Sequence, residues 1–486
     1  MSETGMPDTE TDRFATGSHD LPVSPALAEY FSHSWADTSH TPAPLDSAPY
    51  AEKRRAALSN RFPGERLVIP AGGLKVRSND SDYAFRPHSA FVHLTGDTGV
   101  GAVPDSVLVL EPIGNGHEAT LFTHPRSPRD TGEFYRDRRH GEFWVGRRRT
   151  LAELQATLQI EGAPREKLAE ALRGREVPTR VMRGIDAEVD RFAPAHSNPA
   201  ADHELASFVS ELRLVKDDWE VAQLAAAVDY TTLGFRDVVT ALPKALKHRR
   251  GERWVEGQFN MRARLEGNGV GYETIAAAGS HACVLHWIRN DGPLRPGELL
   301  LLDAGVETDT LYTADITRTL PITGKFTSEQ RRVYELVYRA QEAGIAAVKP
   351  GARFRDFHLA AMRVIAEGLE DWGVIPDAEA ALDPESGIYR RYTLCSSGHM
   401  LGMDVHDCAK ARAETYLDGV LEPGHVLTVE PGLYLQPDDL TLPDELRGIG
   451  IRIEDDLVVT ENGSRLLSSD LPRHPDDIES WMADLM

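Results

Sequence analysis

Cysteine is scarce in this chain of 486 residues, which contains only Cys283, Cys395 and Cys408. Their spacing matches neither a zinc site nor a disulfide framework, and so few thiols are typical of a reducing compartment. The first twenty residues also lack the basic and apolar regions of a signal peptide. No apolar run is long enough to cross a bilayer, and one of the longest, "ELLLLDAG", has the length of a strand. These absences predict a cytoplasmic protein without a membrane partner.

Positive charge is in deficit. The chain has 53 Lys and Arg against 76 Asp and Glu, which gives a formal net charge of −23. Such a field repels phosphate backbones and anionic lipid, so we expect no nucleic-acid partner. The same field favours cationic ligands, among them divalent metals and the ammonium group of a peptide. A solubility role alone is the competing explanation.

The length favours two domains. Mixed strand-like and helix-like stretches predict a smaller α/β N-terminal domain, and the second half reads as an α+β domain with a largely antiparallel sheet. The predicted segments are a polar tail and proline-rich lead-in at 1–49, the N-terminal domain at 50–205, a linker at 206–216, the catalytic domain at 217–470 and a C-terminal tail at 471–486.

Capping boxes mark the start of two helices in the second half. Asp217 is followed by Glu220, and Thr327 by Gln330, each at the spacing in which the two residues satisfy each other's backbone N–H groups. A third helix is expected over 354–369, from its apolar spacing.

Two acidic residues are expected at the ends of paired strands. Asp303 ends the apolar run "LLLLDAG", which is typical of a strand buried on both faces. Asp315, in "TADITRTLP", falls on the returning arm of a hairpin whose turn is the polar "ETDT". A buried carboxylate needs a cation or hydrogen-bond donors, and two side by side repel each other unless a metal lies between them. Each alone could equally be a salt-bridged or capping residue.

Two more acids occupy polar positions of apolar strands. Glu430 ends "VLTVEPG", and Glu454 in "GIRIEDD" shares a face with Arg452. Together with Asp303, Asp315 and His399 they would supply four oxygen ligands and one imidazole. That set suits Mn²⁺, Co²⁺, Fe²⁺ or Zn²⁺, and a pair of such ions would hydrolyse an amide or ester through an activated hydroxide.

The residues around this set have competing interpretations. His286 and His406 each follow an apolar stretch; they are either structural or hydrogen-bond donors to a reacting carbonyl. Asp455 and Asp456 are expected to be charge-paired scaffold. The basic stretches "YRDRRH" and "GRRRT", within 135–150, are expected to be solvated or at a subunit contact.

The motifs "YETIAAAGSHACVLHW", "LLLLDAG", "TADITRTLP", "GHMLGMDVHD", "LTVEPGLYL" and "GIRIEDDLVVT", in that order, resemble those of the pita-bread metallopeptidases. The resemblance is closest to the Xaa-Pro aminopeptidases (aminopeptidase P), and the stretch "SNDSDYAFRPHSAFVHLTG" resembles that family's N-terminal domain. The resemblance to this family covers most of the chain from about residue 50 and implies a pita-bread (creatinase/aminopeptidase-like) catalytic domain.

The resemblance implies a site residue by residue. Two divalent cations, usually Mn²⁺ with Co²⁺ or Zn²⁺ as alternatives, would be held by Asp303, Asp315, His399, Glu430 and Glu454. Catalysis would use Glu430, which would deliver a hydroxide bridging the cations and pass its proton to the leaving proline nitrogen, and His286 and His406, which would bind the substrate and stabilise the transition state. The ligands would be held in orientation by Asp80, Tyr434 and Arg452, with Arg452 also contacting the substrate.

The implied activity is removal of an N-terminal residue from peptides with proline at the second position, by a homodimer or homotetramer. The alternatives are a prolidase restricted to Xaa-Pro dipeptides, a metal-free peptide-binding module of the same fold and a metal-independent amidinohydrolase. The last two are disfavoured because all five ligand positions are filled.

This chain departs from the family pattern at two places. The family often has a histidine four residues before the metal-binding one, where this chain has Cys395. The separation of Asp303 from Asp315 is also one residue longer than the commonest pattern.

Overall fold

The computed structural model describes residues 23–36, 38, 41–79, 81–99, 101–174, 176–192 and 198–486. The chain forms two compact units, Met1–Ala206 and Ser207–Met486. Within the described ranges, none of the helices combines the length and the apolar character that a membrane span requires. The first part of the predicted tail, 1–22, lies outside the described residues.

The strands of the first unit are β1 Arg66–Pro70, β2 Val76–Ser78, β3 Ser81–Asp82, β4 Val107–Ile113, β5 Gly116–Thr123, β6 Glu161–Pro164 and β7 Thr179–Val181. Five of them form a mixed sheet of order β6-β5-β4-β1-β7. β4 pairs antiparallel with both β1 and β5, whereas β7 and β6 extend the sheet in parallel at its two edges. The α/β character expected for this unit is confirmed.

The helices of the first unit are mostly short. They are α1 Pro25–Phe31, α2 Ala48–Arg61, α3 Ser89–Thr95, α4 Glu133–Arg136, α5 Glu142–Val145, α6 Leu151–Leu158, α7 Leu168–Arg173, α8 Ala187–Phe192 and α9 Pro199–Glu211, the last crossing into the second unit. In the proline-rich lead-in, α1 has only seven residues, and Ser24 caps its N-terminus.

The arginines of "GRRRT" are engaged in ion pairs rather than freely solvated. Each pairs with a carboxylate of the same unit, the pairs being Arg147–Glu153 at 2.6 Å, Arg148–Glu133 at 3.1 Å and Arg149–Asp97 at 2.5 Å. The expectation of a solvated stretch is therefore wrong for these three arginines, whereas a subunit contact stays a prediction.

The second unit contains the helices α10 Asp218–Ala245, α11 Gly251–Glu266, α12 Ser328–Ala347, α13 Asp356–Asp371, α14 Ala378–Leu382 and α15 Pro475–Leu485. Both predicted capping boxes are present: the Asp217 side chain accepts from the Glu220 backbone N–H, and Thr327 accepts from that of Gln330, with the return bonds also formed. The third predicted helix is α13.

The strands of the second unit are β8 Gly269–Val270, β9 Ile275–Ala278, β10 Leu299–Ala304, β11 Val306–Glu307, β12 Ile316–Pro321, β13 Val426–Val429, β14 Gly432–Tyr434, β15 Gly450–Arg452, β16 Asp455–Thr460 and β17 Gly463–Leu466. Their pairings within the described chain are antiparallel, as expected, and include two three-stranded sheets of order β12-β10-β9 and β13-β16-β17. The apolar faces of α12 and α13 pack over β14 and β15, because Leu336, Ile365, Leu433 and Ile451 share one buried cluster.

Two ends of the predicted catalytic domain differ from expectation. The segment 206–216, predicted as a linker, is helical as far as Glu211, and Val215 then forms a bridge with His425. The predicted C-terminal tail, 471–486, contains α15, whose Ile478 and Met482 are fully buried. The expected tail is therefore an ordered part of this unit, since amphipathic spacing buries one face of the helix.

Candidate metal centre

Asp303 and Asp315 meet on the hairpin formed by β10 and β12. All six residues of β10 are buried, and Asp303 lies opposite Thr317 in the ladder, with Asp315 immediately before β12. The Tyr272 hydroxyl bridges the two carboxylates at 2.6 Å from Asp303 Oδ1 and 2.5 Å from Asp315 Oδ1. The expected hairpin is confirmed, and it places two like charges within reach of one hydroxyl.

His399 and Glu430 are brought together by β13. The Thr428 N–H donates to the His399 carbonyl at 2.9 Å, and the Glu430 N–H donates to the Ser397 carbonyl at 2.9 Å, so the segment before His399 runs along the strand. A Cβ on Gly398 would lie 2.2 Å from the Thr428 carbonyl oxygen, which makes glycine necessary at this close approach. His399 Nε2 is consequently 3.5 Å from Glu430 Oε1 and 3.2 Å from Asp315 Oδ2.

Glu454 joins the group from the connection between β15 and β16. Its N–H donates to the Thr317 carbonyl at 3.1 Å, and its Oε2 accepts from the Thr317 hydroxyl at 2.6 Å. Asp315, His399 and Glu454 can each present a ligand atom so that all three atoms lie within 4.8 Å of one another. Asp303 flanks this trio through Tyr272, and Glu430 flanks it through His399.

One cavity of about 500 Å³ collects the predicted site residues of this unit. The sequence-predicted residues that line it are His286, Asp303, Asp315, His399, His406, Glu430, Tyr434, Arg452 and Glu454. Cys395 lines the same cavity and is exposed. Asp80, also predicted for the site, lies outside the described residues.

The electrostatics of the acids fit a bound cation. Burial raises the pKa of Glu430 to about 7, with an opposing effect of His399 and a further rise from Asp315. Burial also raises the pKa of Asp303, despite Arg452, and that of Glu454, where Asp315 and Glu430 add repulsion. Glu454 Oε1 is buried and has no hydrogen-bond partner among the described residues. Buried carboxylates that repel each other, one of them with an unpartnered oxygen, are typical of a divalent-metal site.

The pKa of His399 is also raised, which for a histidine favours the charged form. Burial lowers its pKa, but the hydrogen bond to Asp315 and the charge of Glu430 outweigh burial and raise the pKa to about 9. Its Nδ1 lies 3.1 Å from the Met400 carbonyl, which orients the ring with Nε2 towards the acids. A metal that bound Nε2 would displace a proton from this ring.

The other two histidines lie at the mouth of the cavity. His286 and His406 are both exposed, and the His406 ring stands perpendicular to that of His399, with centroids 4.4 Å apart. Burial and the neighbouring His399 lower the pKa of His406. A neutral imidazole there can donate one hydrogen bond to a bound molecule.

Arg452 is a buried organiser of the site. Its Nη2 donates to Asp303 Oδ2, its Nη1 donates to the Tyr434 hydroxyl at 2.9 Å, and its Nε donates to the Thr317 hydroxyl at 3.1 Å. The guanidinium therefore holds the Asp303 carboxylate in its orientation, and the hydroxyl groups of Tyr434 and Thr317 hold the guanidinium in turn.

Sequence reasoning missed two residues. Tyr272 was quoted within a motif without a role, yet its hydroxyl joins Asp303 to Asp315. Asp455 pairs with Arg318 as expected, but Asp456 accepts from the Asp315 N–H at 3.1 Å and forms no ion pair with an arginine or lysine among the described residues. A hydrogen bond from a backbone N–H to a carboxylate 141 positions away leaves no signal in one sequence.

Comparison with known proteins identifies both units. The model of metallopeptidase family M24 matches residues 222–461, and that of the aminopeptidase P N-terminal domain matches residues 51–175. Xaa-Pro aminopeptidase 1 of Streptomyces coelicolor is 56% identical over 95% of this chain and 93% of its own length. The Xaa-Pro aminopeptidase of Escherichia coli is 31% identical over 89% of this chain and 97% of its own length.

Solved structures agree with the sequence relatives. Aminopeptidase P from E. coli with the inhibitor Pro-Leu superposes with a TM-score of 0.77 at 29% identity, covering 91% of this chain and 99% of the other. A zinc-substituted form of the E. coli enzyme in complex with product gives 0.78 at 30% identity, covering 91% of this chain and 100% of the other. The resemblance noted in the sequence is confirmed, with a pita-bread domain that binds divalent metal. The chain belongs to the Xaa-Pro aminopeptidases of metallopeptidase family M24 and is a metallo-exopeptidase.

Proposed function

We propose that this protein hydrolyses the Xaa-Pro bond at the N-terminus of peptides, with two divalent cations, most readily Mn²⁺, at its centre. The observation that carries the proposal is the convergence of four carboxylates and one imidazole on a single cavity. The relatives are named for this specificity, and 56% identity over 95% of the chain supports transfer of the activity.

Asp303, Asp315, His399, Glu430 and Glu454 would hold the cations. Five side chains cannot fill two separate coordination shells, so some carboxylates would be shared between the ions. When bound, the cations would supply a bridging hydroxide near neutral pH and polarise the scissile carbonyl. Arg452 keeps Asp303 oriented, and Tyr434 keeps Arg452 oriented.

Glu430 is assigned the proton transfer. Its carboxylate lies at the cavity wall, next to His399, where burial raises its pKa to about 7. A carboxylate beside both the attacking water and the leaving nitrogen can accept a proton from the first and return it to the second. Glu430 would take the proton of the attacking water and deliver it to the proline nitrogen, which leaves as an amine.

His286 and His406 are assigned to the substrate. Both line the cavity and are exposed, so they can donate to the reacting carbonyl or to the peptide backbone. The negative charge of the site also favours a peptide's N-terminal ammonium group.

The nearest alternative is a prolidase, which would share the metals and the fold. A purified, Mn²⁺-loaded protein should release the first residue from an Xaa-Pro-Yaa tripeptide and leave an Xaa-Ala-Yaa control intact. Liquid chromatography of the products shows which of the two peptides is cleaved. Cleavage of Xaa-Pro dipeptides with an intact Xaa-Pro-Yaa tripeptide would establish the prolidase instead.

Replacing His406 by alanine should lower kcat/KM by about 100-fold, the usual cost of losing one donor to a developing oxyanion. Metal content should stay at the wild-type value, because His406 is not among the proposed ligands. Steady-state kinetics and elemental analysis measure the two effects. His248→Ala, which removes an exposed histidine of the same unit, is the matched control. Equal kcat/KM in the His406 variant and this control would make His406 structural.

The homodimeric or homotetrameric state and the cytoplasmic location stay predictions.

A further inference from the structure

Three side chains of the first unit form a second cluster of metal-ligand type. Asp105 lies just before β4, His124 immediately after β5 and His140 between α4 and α5. The three can present ligand atoms that all lie within 4.8 Å of one another. Each is half-buried, so a small ion has access from solvent. None of them belongs to the residues assigned to hydrolysis.

His140 is held as a metal-binding histidine usually is. Its Nδ1 lies 3.1 Å from Asp137 Oδ2, and its Nε2 is buried without a hydrogen-bond partner among the described residues. When Nδ1–H donates to a carboxylate, the neutral ring carries its lone pair on Nε2. A buried nitrogen with a free lone pair is costly unless a ligand occupies it.

The carboxylate of the cluster is also available. Arg165 lies beside Asp105, but its Nε donates to the Asp105 backbone carbonyl at 2.7 Å, and its Nη2 donates to Glu188 at 2.9 Å. The guanidinium is thus directed at other acceptors. The Asp105 side chain keeps its oxygens for another cation.

The two imidazole rings of the cluster are neighbours. The rings of His124 and His140 are 4.1 Å apart between centroids and tilted by 32°. Zinc–ligand bonds of about 2.0–2.2 Å place ligand atoms roughly 3.3 Å apart in a tetrahedron. A bound ion would draw the three ligand atoms, which lie within 4.8 Å of one another, to that spacing. Glu166 Oε1, 3.7 Å from His124 Nδ1, comes from a largely exposed side chain that can turn to the fourth position.

We infer that Asp105, His124 and His140 form a Zn²⁺ site in the N-terminal unit, made of different residues from the catalytic centre. Two imidazoles with one carboxylate prefer Zn²⁺ and its borderline neighbours, whereas a carboxylate-rich set with one imidazole also accepts Mn²⁺. The bound ion would link the loop-rich stretch 124–141 to the sheet. Asp105 lies just before the start of β4, and His124 just after the end of β5.

The test counts metal in the full chain. Protein stripped with a chelator and dialysed against Zn²⁺ should hold one more equivalent per chain than the His140→Ala variant, by elemental analysis. His203→Ala, which removes an exposed histidine of the same unit, should match the wild type. Asp105→Asn provides a second variant that preserves shape, and it should also lose one equivalent.

Two further readouts separate this site from the catalytic centre. Zn²⁺ should raise the midpoint of thermal unfolding less in the His140→Ala variant than in His203→Ala. Asp137→Asn, which keeps the shape of the side chain but replaces the carboxylate that faces His140 Nδ1, should weaken the affinity of that one equivalent by about 10- to 100-fold. Equal Zn²⁺ content in folded wild type, His140→Ala and Asp105→Asn would overturn the inference. That outcome would leave the proposed peptidase function untouched, because no catalytic residue is altered.

Discussion

Glu430→Gln should lower kcat by about 1,000-fold or more while leaving the fold intact. General acid–base catalysis contributes about 10²- to 10⁴-fold, and this substitution removes the proton acceptor without changing the size of the side chain. It also removes one of the four proposed carboxylate ligands, so metal affinity should fall. The loss of rate is expected to persist when the metal is saturating, because an amide cannot carry the proton to the leaving nitrogen.

Stopped assays on an Xaa-Pro-Yaa tripeptide over a range of Mn²⁺ concentrations separate the two effects. The matched control is Glu445→Gln, an exposed acid in the short turn before β15 of the same unit, which should keep wild-type kcat. If excess Mn²⁺ restores wild-type kcat to Glu430→Gln, the residue only holds metal and the proton transfer is assigned wrongly.

Local features of the fold were predictable because they depend on neighbouring residues. The capping boxes at Asp217 and Thr327 formed as expected, since an N-cap and the residue three positions later interact in any helix start. The buried run of β10 was equally clear. The ordered helix α15 was not, because its stability comes from burying Ile478 and Met482 against the rest of the unit rather than from its own eleven residues.

The residues of the site were predictable from the sequence, but the hydrogen bonds that connect them were not. Strand periodicity marks Asp303 and Glu454 as polar groups in apolar strands. It does not show that Thr317 donates to Glu454 or that Tyr272 bridges two carboxylates, because these contacts join residues 137 and 31 positions apart. The cluster of Asp105, His124 and His140 was missed for the same reason. Its members lie on separate turns, and none of them stands in a motif with metal-binding spacing.

Removing the metal should abolish hydrolysis and should destabilise the protein more as the pH rises. In the metal-free chain, burial raises the pKa of Asp303 and Glu454 and raises that of Glu430 to about 7. Despite burial, the interaction with Asp315 raises the pKa of His399 to about 9. Both kinds of shift mean that the folded, metal-free chain binds more protons than the unfolded chain, whose carboxyl groups titrate near 4 and whose histidines titrate near 6.5.

The direction of the effect follows from proton linkage. Stability decreases with pH wherever the native state binds more protons, so the contribution of these four groups to the stability of the metal-free protein should fall from about pH 4 through their elevated pKa values, up to about pH 9. A divalent cation replaces these protons and neutralises the carboxylates. The stabilisation by Mn²⁺ should therefore grow between pH 5.5 and pH 8.5, by an amount on the order of a few kcal/mol.

Calorimetric unfolding of chelated and Mn²⁺-loaded protein at several pH values measures this difference. The gap between the two midpoints should widen by roughly 5 °C or more over that range, given about 2–4 °C per kcal/mol for a large domain. His399→Ala and Glu454→Gln, which remove one proposed ligand each, should narrow the gap, whereas Glu445→Gln should leave it at the wild-type value. A gap that stays constant or shrinks with rising pH would show that the buried acids are not neutralised by the metal. Activity that survives chelation would remove the metal from the reaction altogether.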